Sequence, residues 1–153
     1  MDLSIAPADL DSPELEAFVV AHLAELEHTA PEESRHAKPL IALQEAAARV
    51  WVAGLGGRLV GMVALAPVEP LHEEVKSMRT DPALRGRGIG RRLLDHVLEN
   101  AHVRDVERVS LETGSAEFFA PARRLYASAG FEPCGPFGGY VEDPHSVFMT
   151  RPA

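Results

Sequence analysis

The chain reads as one α+β domain of mixed α/β character, with its helices laid on a single sheet. Three observations carry that reading. Residues 50–68 form a nearly unbroken apolar run with one charge, Arg58, and the cluster Gly54-Leu55-Gly56-Gly57 inside it. Residues 89–102 alternate apolar and charged positions at helical spacing. The order of elements along the 153 residues is β-α-α-β-β-β-α-β-α-β-β, which suits one domain with one core.

Residues 3–6 make a short first strand. A helix starts at Ser12-Pro13, with Ser12 as its cap and Pro13 in the first turn. Leu15, Phe18, Val19, His22, Leu23 and Leu26 recur on one face of it. Residues 29–38 are polar and bounded by proline, hence a loop, and residues 40–48 form a second, shorter helix. Strands follow at 49–53 and 59–68. An apolar run of that length could be misread as a membrane span, but its glycine cluster is a turn signal, so a buried hairpin is expected. A third strand, 73–80, stops at Asp81-Pro82.

The helix 89–102 places Ile89, Leu93, Leu94, Val97 and Leu98 on one side and its charged residues on the other. Residues 108–112 are a strand, residues 116–129 a helix despite Pro121, and Gly130 is its stop. Residues 131–136 and 146–151 are final strands around a loop rich in glycine and proline.

A net charge of −8 argues against a general role on nucleic acid. With a single cysteine, Cys134, neither an internal disulfide nor a zinc site of cysteine pairs can form. The opening Met-Asp-Leu-Ser has no basic start and no apolar stretch. A cytoplasmic chain without a secretory signal or membrane segment is therefore expected.

Chemistry concentrates at Arg85-Gly86-Arg87-Gly88-Ile89-Gly90, between a strand and an amphipathic helix. Glycines there admit positive φ, and successive N–H groups at a helix start cradle an anion. Arg85, Arg87, Arg91 and Arg92 add positive charge, which points to a diphosphate ligand. A Walker loop would need Lys-Ser/Thr after the last glycine, where this chain has Arg91, and the dinucleotide fingerprint would need a glycine at 91. The other reading is a solvated helix start decorated with arginines.

Residues 80–90, Thr-Asp-Pro-Ala-Leu-Arg-Gly-Arg-Gly-Ile-Gly, resemble the acetyl-CoA signature of the GNAT acetyltransferases, V-x-P-x-x-R-G-x-G-I-G. Downstream, residues 122–131, Ala-Arg-Arg-Leu-Tyr-Ala-Ser-Ala-Gly-Phe, resemble that family's A-x-x-L-Y-x-x-x-G-F element. The resemblance implies a central, mostly antiparallel twisted sheet with one splayed parallel pair, flanked by about four helices. It implies an N-acetyltransferase that takes acetyl-CoA as co-substrate, with a small-molecule or peptide amine as acceptor. It also leaves room for a homodimer through the last strands.

On this resemblance Met78, Arg79 and Thr80 border the pantetheine arm. Arg85, Gly86, Arg87, Gly88, Ile89, Gly90 and Arg91 hold the pyrophosphate, chiefly through backbone N–H groups. Tyr126 matches the tyrosine near the CoA sulfur and is the candidate general acid, the other reading being a core tyrosine. Glu74, four residues before Met78, is the candidate general base, the other reading a solvent-facing strand residue. Glu112 and Thr113 end the next strand and could bind the acceptor, although Glu112 could equally be structural. His36 and His145 could line the acceptor side but read first as structural or surface histidines. No metal-ligand spacing is seen. Phe119 stands where the family often has an asparagine near the pantetheine, a departure that bears on local donor geometry. The alternative function is an acyl-CoA-binding module without activity; a nucleic-acid role for Arg85 to Arg92 lacks interleaved aromatics.

Overall fold

The computed structural model describes residues 2–153. Its elements are β1 (Leu3–Pro7), α1 (Pro13–Leu26), α2 (Leu40–Glu45), β2 (Arg49–Leu55), β3 (Arg58–Glu69), β4 (His72–Thr80), α3 (Ile89–Val103), β5 (Arg108–Gly114), α4 (Ala120–Ser128), β6 (Glu132–Cys134) and β7 (Ser146–Pro152). The strands form one seven-stranded sheet in the order β1-β2-β3-β4-β5-β7-β6. Every neighbouring pair is antiparallel except β4 and β5. Mixed α/β character, one parallel pair and four helices are thus as expected from the sequence.

Alternation along the central strands sends side chains to two cores. Trp51, Ala53, Val63 and Leu65 meet Leu93, Leu94 and Val97 of α3 and Tyr126 of α4 on one face. Val50, Met62 and Ala64 meet Leu15 and Val19 of α1 with Leu40 and Leu43 of α2 on the other. With both faces covered, β3 is buried without a break from Val60 to Ala66, which explains its continuous apolar run. The run is a hairpin: the two-residue turn Gly56-Gly57 joins β2 to β3, with Leu55 paired to Arg58. No helix among the described residues is long and apolar enough to cross a membrane.

Helix boundaries follow their caps. The Leu15 N–H donates to Ser12 Oγ at 3.3 Å, and Pro13 takes the first turn of α1. The expected helix 40–48 ends earlier, at Glu45, because the chain turns through Ala47 at a φ of 56°. The expected helix 116–129 divides into a single 3-10 turn, Glu117–Phe119, and α4. Starting at Ala120 puts Pro121 in the first turn, where its missing N–H would have no partner anyway.

Strand β4 shapes the site. Its parallel ladder with β5 runs from His72–Arg108 to Val75–Leu111 and stops there. On its other side, the register with β3 jumps between Met62–Arg79 and Ala64–Lys76, so Ser77 and Met78 together oppose Val63. Ser77 has a φ of 55° at this bulge. A bulge bends a strand and re-aims its side chains, and here it turns the second half of β4 away from β5. The wedge so opened lies in the middle of the sheet.

Candidate active site

Two adjoining cavities occupy that wedge. The first is a cleft between the end of β4, the start of α3, α1 and α4. Gly86 and Gly88 have φ of 80° and 81°, a left-handed backbone that a side chain disfavours. The first backbone bond into α3 runs from Arg92 N–H to the Gly88 carbonyl at 3.1 Å. Among the described residues, the amides of Gly86 to Arg91 therefore have no backbone acceptor and remain available to an anion.

The arginines around this turn are braced by the protein. Arg85 pairs with Glu25 of α1, and Arg91 reaches Asp95 at 2.9 Å and Ser128 at 3.2 Å. Arg79 is buried over the Phe18 ring, 5.2 Å from its centroid, with His22 Nδ1 3.4 Å and Glu25 3.8 Å from its guanidinium. Burial pulls the Arg79 pKa down. Burial, then the Arg79 charge, pushes His22 down to about 4, so its ring is neutral at pH 7. Every residue expected at the donor site lines this cleft except Arg87, which stands exposed beside it.

The second cavity, of about 140 Å³, lies across the wedge under residues 29–37 and Tyr140. Both expected acidic residues are in its wall, with Thr113, His36 and His145. Glu74 is buried, and its Oε2 accepts from Tyr140 Oη at 2.5 Å and from Lys76 Nζ at 3.3 Å. Glu112 accepts from Ser146 Oγ at 2.7 Å. Burial raises Glu112 from 4.5 to about 7 against that hydrogen bond, with the Glu74 charge adding to the rise. Tyr140 is raised too, first by burial and then by Glu74.

Tyr126 belongs to both cavities. Only 7% exposed, it packs edge-on against Phe131, and burial, with Glu112 behind it, pushes its phenol up to about 12. Met78, Phe119 and Ala122 share the junction. Phe119 is there because Gly114 has no side chain: a Cβ on Gly114 would lie 2.1 Å from the Phe119 ring. Arg123 bonds the Gly114 and Ala116 carbonyls at 2.7 and 2.9 Å, which ties α4 to the end of β5. An apolar ring thus replaces the expected polar contact on the donor path.

The sequence reading missed Tyr140, Lys76, Arg35, Ser77 and Ser146. Tyr140 had the clearest signal, an aromatic in the loop Pro136-Phe137-Gly138-Gly139-Tyr140 that packs on Phe137 and Phe148. His22 was placed on the inner face of α1 without a role, and it lines both cavities.

Comparison with known proteins agrees with this geometry. The family model described as the Acetyltransferase (GNAT) family matches residues 16–131. The chain is 43% identical over 143 residues to the uncharacterised N-acetyltransferase YsnE of Bacillus subtilis, across 94% of this chain and 95% of that one. It is 37% identical over 147 residues to the uncharacterised N-acetyltransferase YedL of Escherichia coli, across 96% and 92%. The solved GNAT-family acetyltransferase of Staphylococcus aureus Mu50 superimposes with a TM-score of 0.76 at 18% identity, covering 99% of both chains, a likeness of fold.

Proposed function

Since the chain belongs to the GNAT acetyltransferase family, we propose that it moves the acetyl group of acetyl-CoA directly onto the amine of a small molecule or peptide. One observation supports this above the others: the donor cleft and the acidic cavity adjoin, sharing Met78 and Tyr126 in their walls where β4 leaves β5. A thioester lying along the free edge of β4 presents its carbonyl carbon at that junction. An amine in the second cavity reaches the same carbon from the other side, as direct transfer requires.

The amine nitrogen forms the new bond to the carbonyl carbon, the C–S bond breaks, and the electron pair leaves on sulfur. Two protons must be managed. Glu112 is suited to take the proton lost by the amine, because a carboxylate with a pKa of about 7 is a competent base near neutral pH. Glu74, expected from sequence as the base, is braced by Tyr140 and Lys76 through one oxygen, and its other oxygen can hold the ammonium before deprotonation. The two carboxylates thus divide the work through their environments.

Tyr126 stays protonated at neutral pH because its pKa is about 12. It donates a hydrogen bond to the departing sulfur. Full proton transfer to a free thiolate with a pKa near ~8.5 would be uphill by roughly 5 kcal/mol, so stabilisation of the developing charge is its first contribution.

The test is thiol release from acetyl-CoA across an amine panel, paired with a melt in acetyl-CoA. Saturation at about 100 times Kd adds roughly 2.7 kcal/mol, which is several degrees for a domain of this size. Both signals are expected. A melt shift without thiol release for any amine would leave an acyl-CoA-binding module, and no shift at all would remove the donor site.

A further inference from the structure

Charge in the acceptor cavity does not balance, and this bears on what enters it. Glu74 and Lys76 satisfy each other at 3.3 Å. Glu112 takes its hydrogen bond from Ser146, and Ser34 donates to Asp143 at 2.6 Å. The Ser34–Asp143 bond ties the 3-10 turn Glu32–Ser34 to the loop before β7, and the next residue, Arg35, lines the cavity. Among the described residues Arg35 has no ion-pair or side-chain hydrogen-bond partner, and its Nε is buried. The Arg35 Nε–H has no acceptor within the protein, and an anion entering the cavity would supply one.

The pattern extends beyond one residue. Among the described residues, the buried side-chain polar atoms without a partner are Arg35 Nε, Ser77 Oγ and Arg79 Nε. The first two belong to the acceptor cavity and the third to the donor cleft. None lies elsewhere in the fold, so the unmet donors collect where ligands are expected. A cavity of about 140 Å³ suits a small molecule.

We infer that the acceptor is a small amine that also carries a carboxylate, an amino-acid-like molecule, and that Arg35 receives the carboxylate while the Glu74–Glu112 wall receives the amine. This rests on the transferase reading above. Guanidinium suits the task because its planar fork matches a carboxylate and stays charged at every working pH. His36 and His145 border the same cavity and do not oppose an anion there. An amine without a carboxylate would leave Arg35 unsatisfied in the bound state.

The experiment compares thiol release from acetyl-CoA for free amino acids against their carboxamides, with alanine, aspartate and lysine as probes beside short peptides. Wild-type protein should favour at least one free acid over its amide by roughly 10- to 100-fold in kcat/KM. Arg35→Gln should cut that preference to near one, through KM for the acid, while acetyl-CoA still raises its melting temperature. Arg35→Lys, which keeps the charge without the fork, should fall between. Amides or peptides acetylated as well as the free acids would overturn the acceptor class and leave the transferase reading standing. An undiminished preference in folded Arg35→Gln would remove Arg35. No release with any amine would overturn both readings.

Discussion

Replacing Glu112 by glutamine should make the protein more stable and less active, with both effects set by pH. The folded chain holds the Glu112 proton up to about pH 7, whereas an ordinary glutamate releases it near 4.5. Between those values the unfolded chain ionises and the folded chain does not. Stability is therefore lost as pH climbs from 4.5 through 7, and it stays lost above that. At about 1.4 kcal/mol per pH unit the interval amounts to roughly 3 kcal/mol. Glu112 is half-buried at an open cavity, so solvent screening reduces this to about 2 kcal/mol. Glutamine pays none of that penalty and can still accept the Ser146 bond. At pH 8 the variant should melt about 4 to 8 °C higher, with little difference near pH 5. Melts of both proteins between pH 5 and 9, without ligand, read this directly. Parallel curves across that range would refute the buried-carboxylate argument. In the same variant turnover should fall by about 10²-fold or more, and the wild-type rise in kcat/KM through pH 7 should disappear.

Three further outcomes follow from the geometry. Tyr126→Phe should lower kcat by about 10²-fold and keep the melt shift in acetyl-CoA, and unchanged turnover would take the phenol out of the reaction. Gly88→Val forces a β-branched residue to the φ of 81°, at a cost of about 1–2 kcal/mol; the folded variant should lose its acetyl-CoA shift, and a retained shift would refute the amide cradle. Gly114→Ala drives a methyl to within 2.1 Å of the Phe119 ring, so a loss of about 2 kcal/mol is expected. Adding Phe119→Ala should recover part of that loss, and strict additivity in denaturant melts would show that the two residues do not interact.

What the sequence made readable was local. Ser12-Pro13 announces α1 because a cap needs only its own backbone. The Gly56-Gly57 turn and the apolar runs beside it announce a hairpin for the same reason. Errors arose where the chain's course depends on neighbours. Helical pattern continues upstream of Pro121, yet the chain makes a separate 3-10 turn there, and at its end Phe119 lies over Gly114. The bulge and splay of β4 were implied by the family resemblance alone; the residues around Ser77 carry no signature of them, since they follow from how β3 and β4 register while β5 departs.

The two cavities differ in readability for a physical reason. A phosphate cradle is made of consecutive amides, so a contiguous stretch of glycines encodes it. The second cavity is made of side chains brought together by the fold. Arg35 comes from the loop after α1, Glu74 and Lys76 from β4, Glu112 from β5 and Tyr140 from the loop before β7. The family resemblance brought Glu74 under suspicion by its place four residues before Met78, and Glu112 by its place at the end of the following strand. It could not show that Lys76 and Tyr140 satisfy Glu74, that burial raises Glu112 to about 7, or that Arg35 has no ion-pair partner among the described residues. Such imbalances can be read only after every internal partner has been found. On the amino-acid proposal above, the groups left over define the ligand to be tested: a carboxylate for Arg35 and an amine for Glu112, at the two ends of one small molecule.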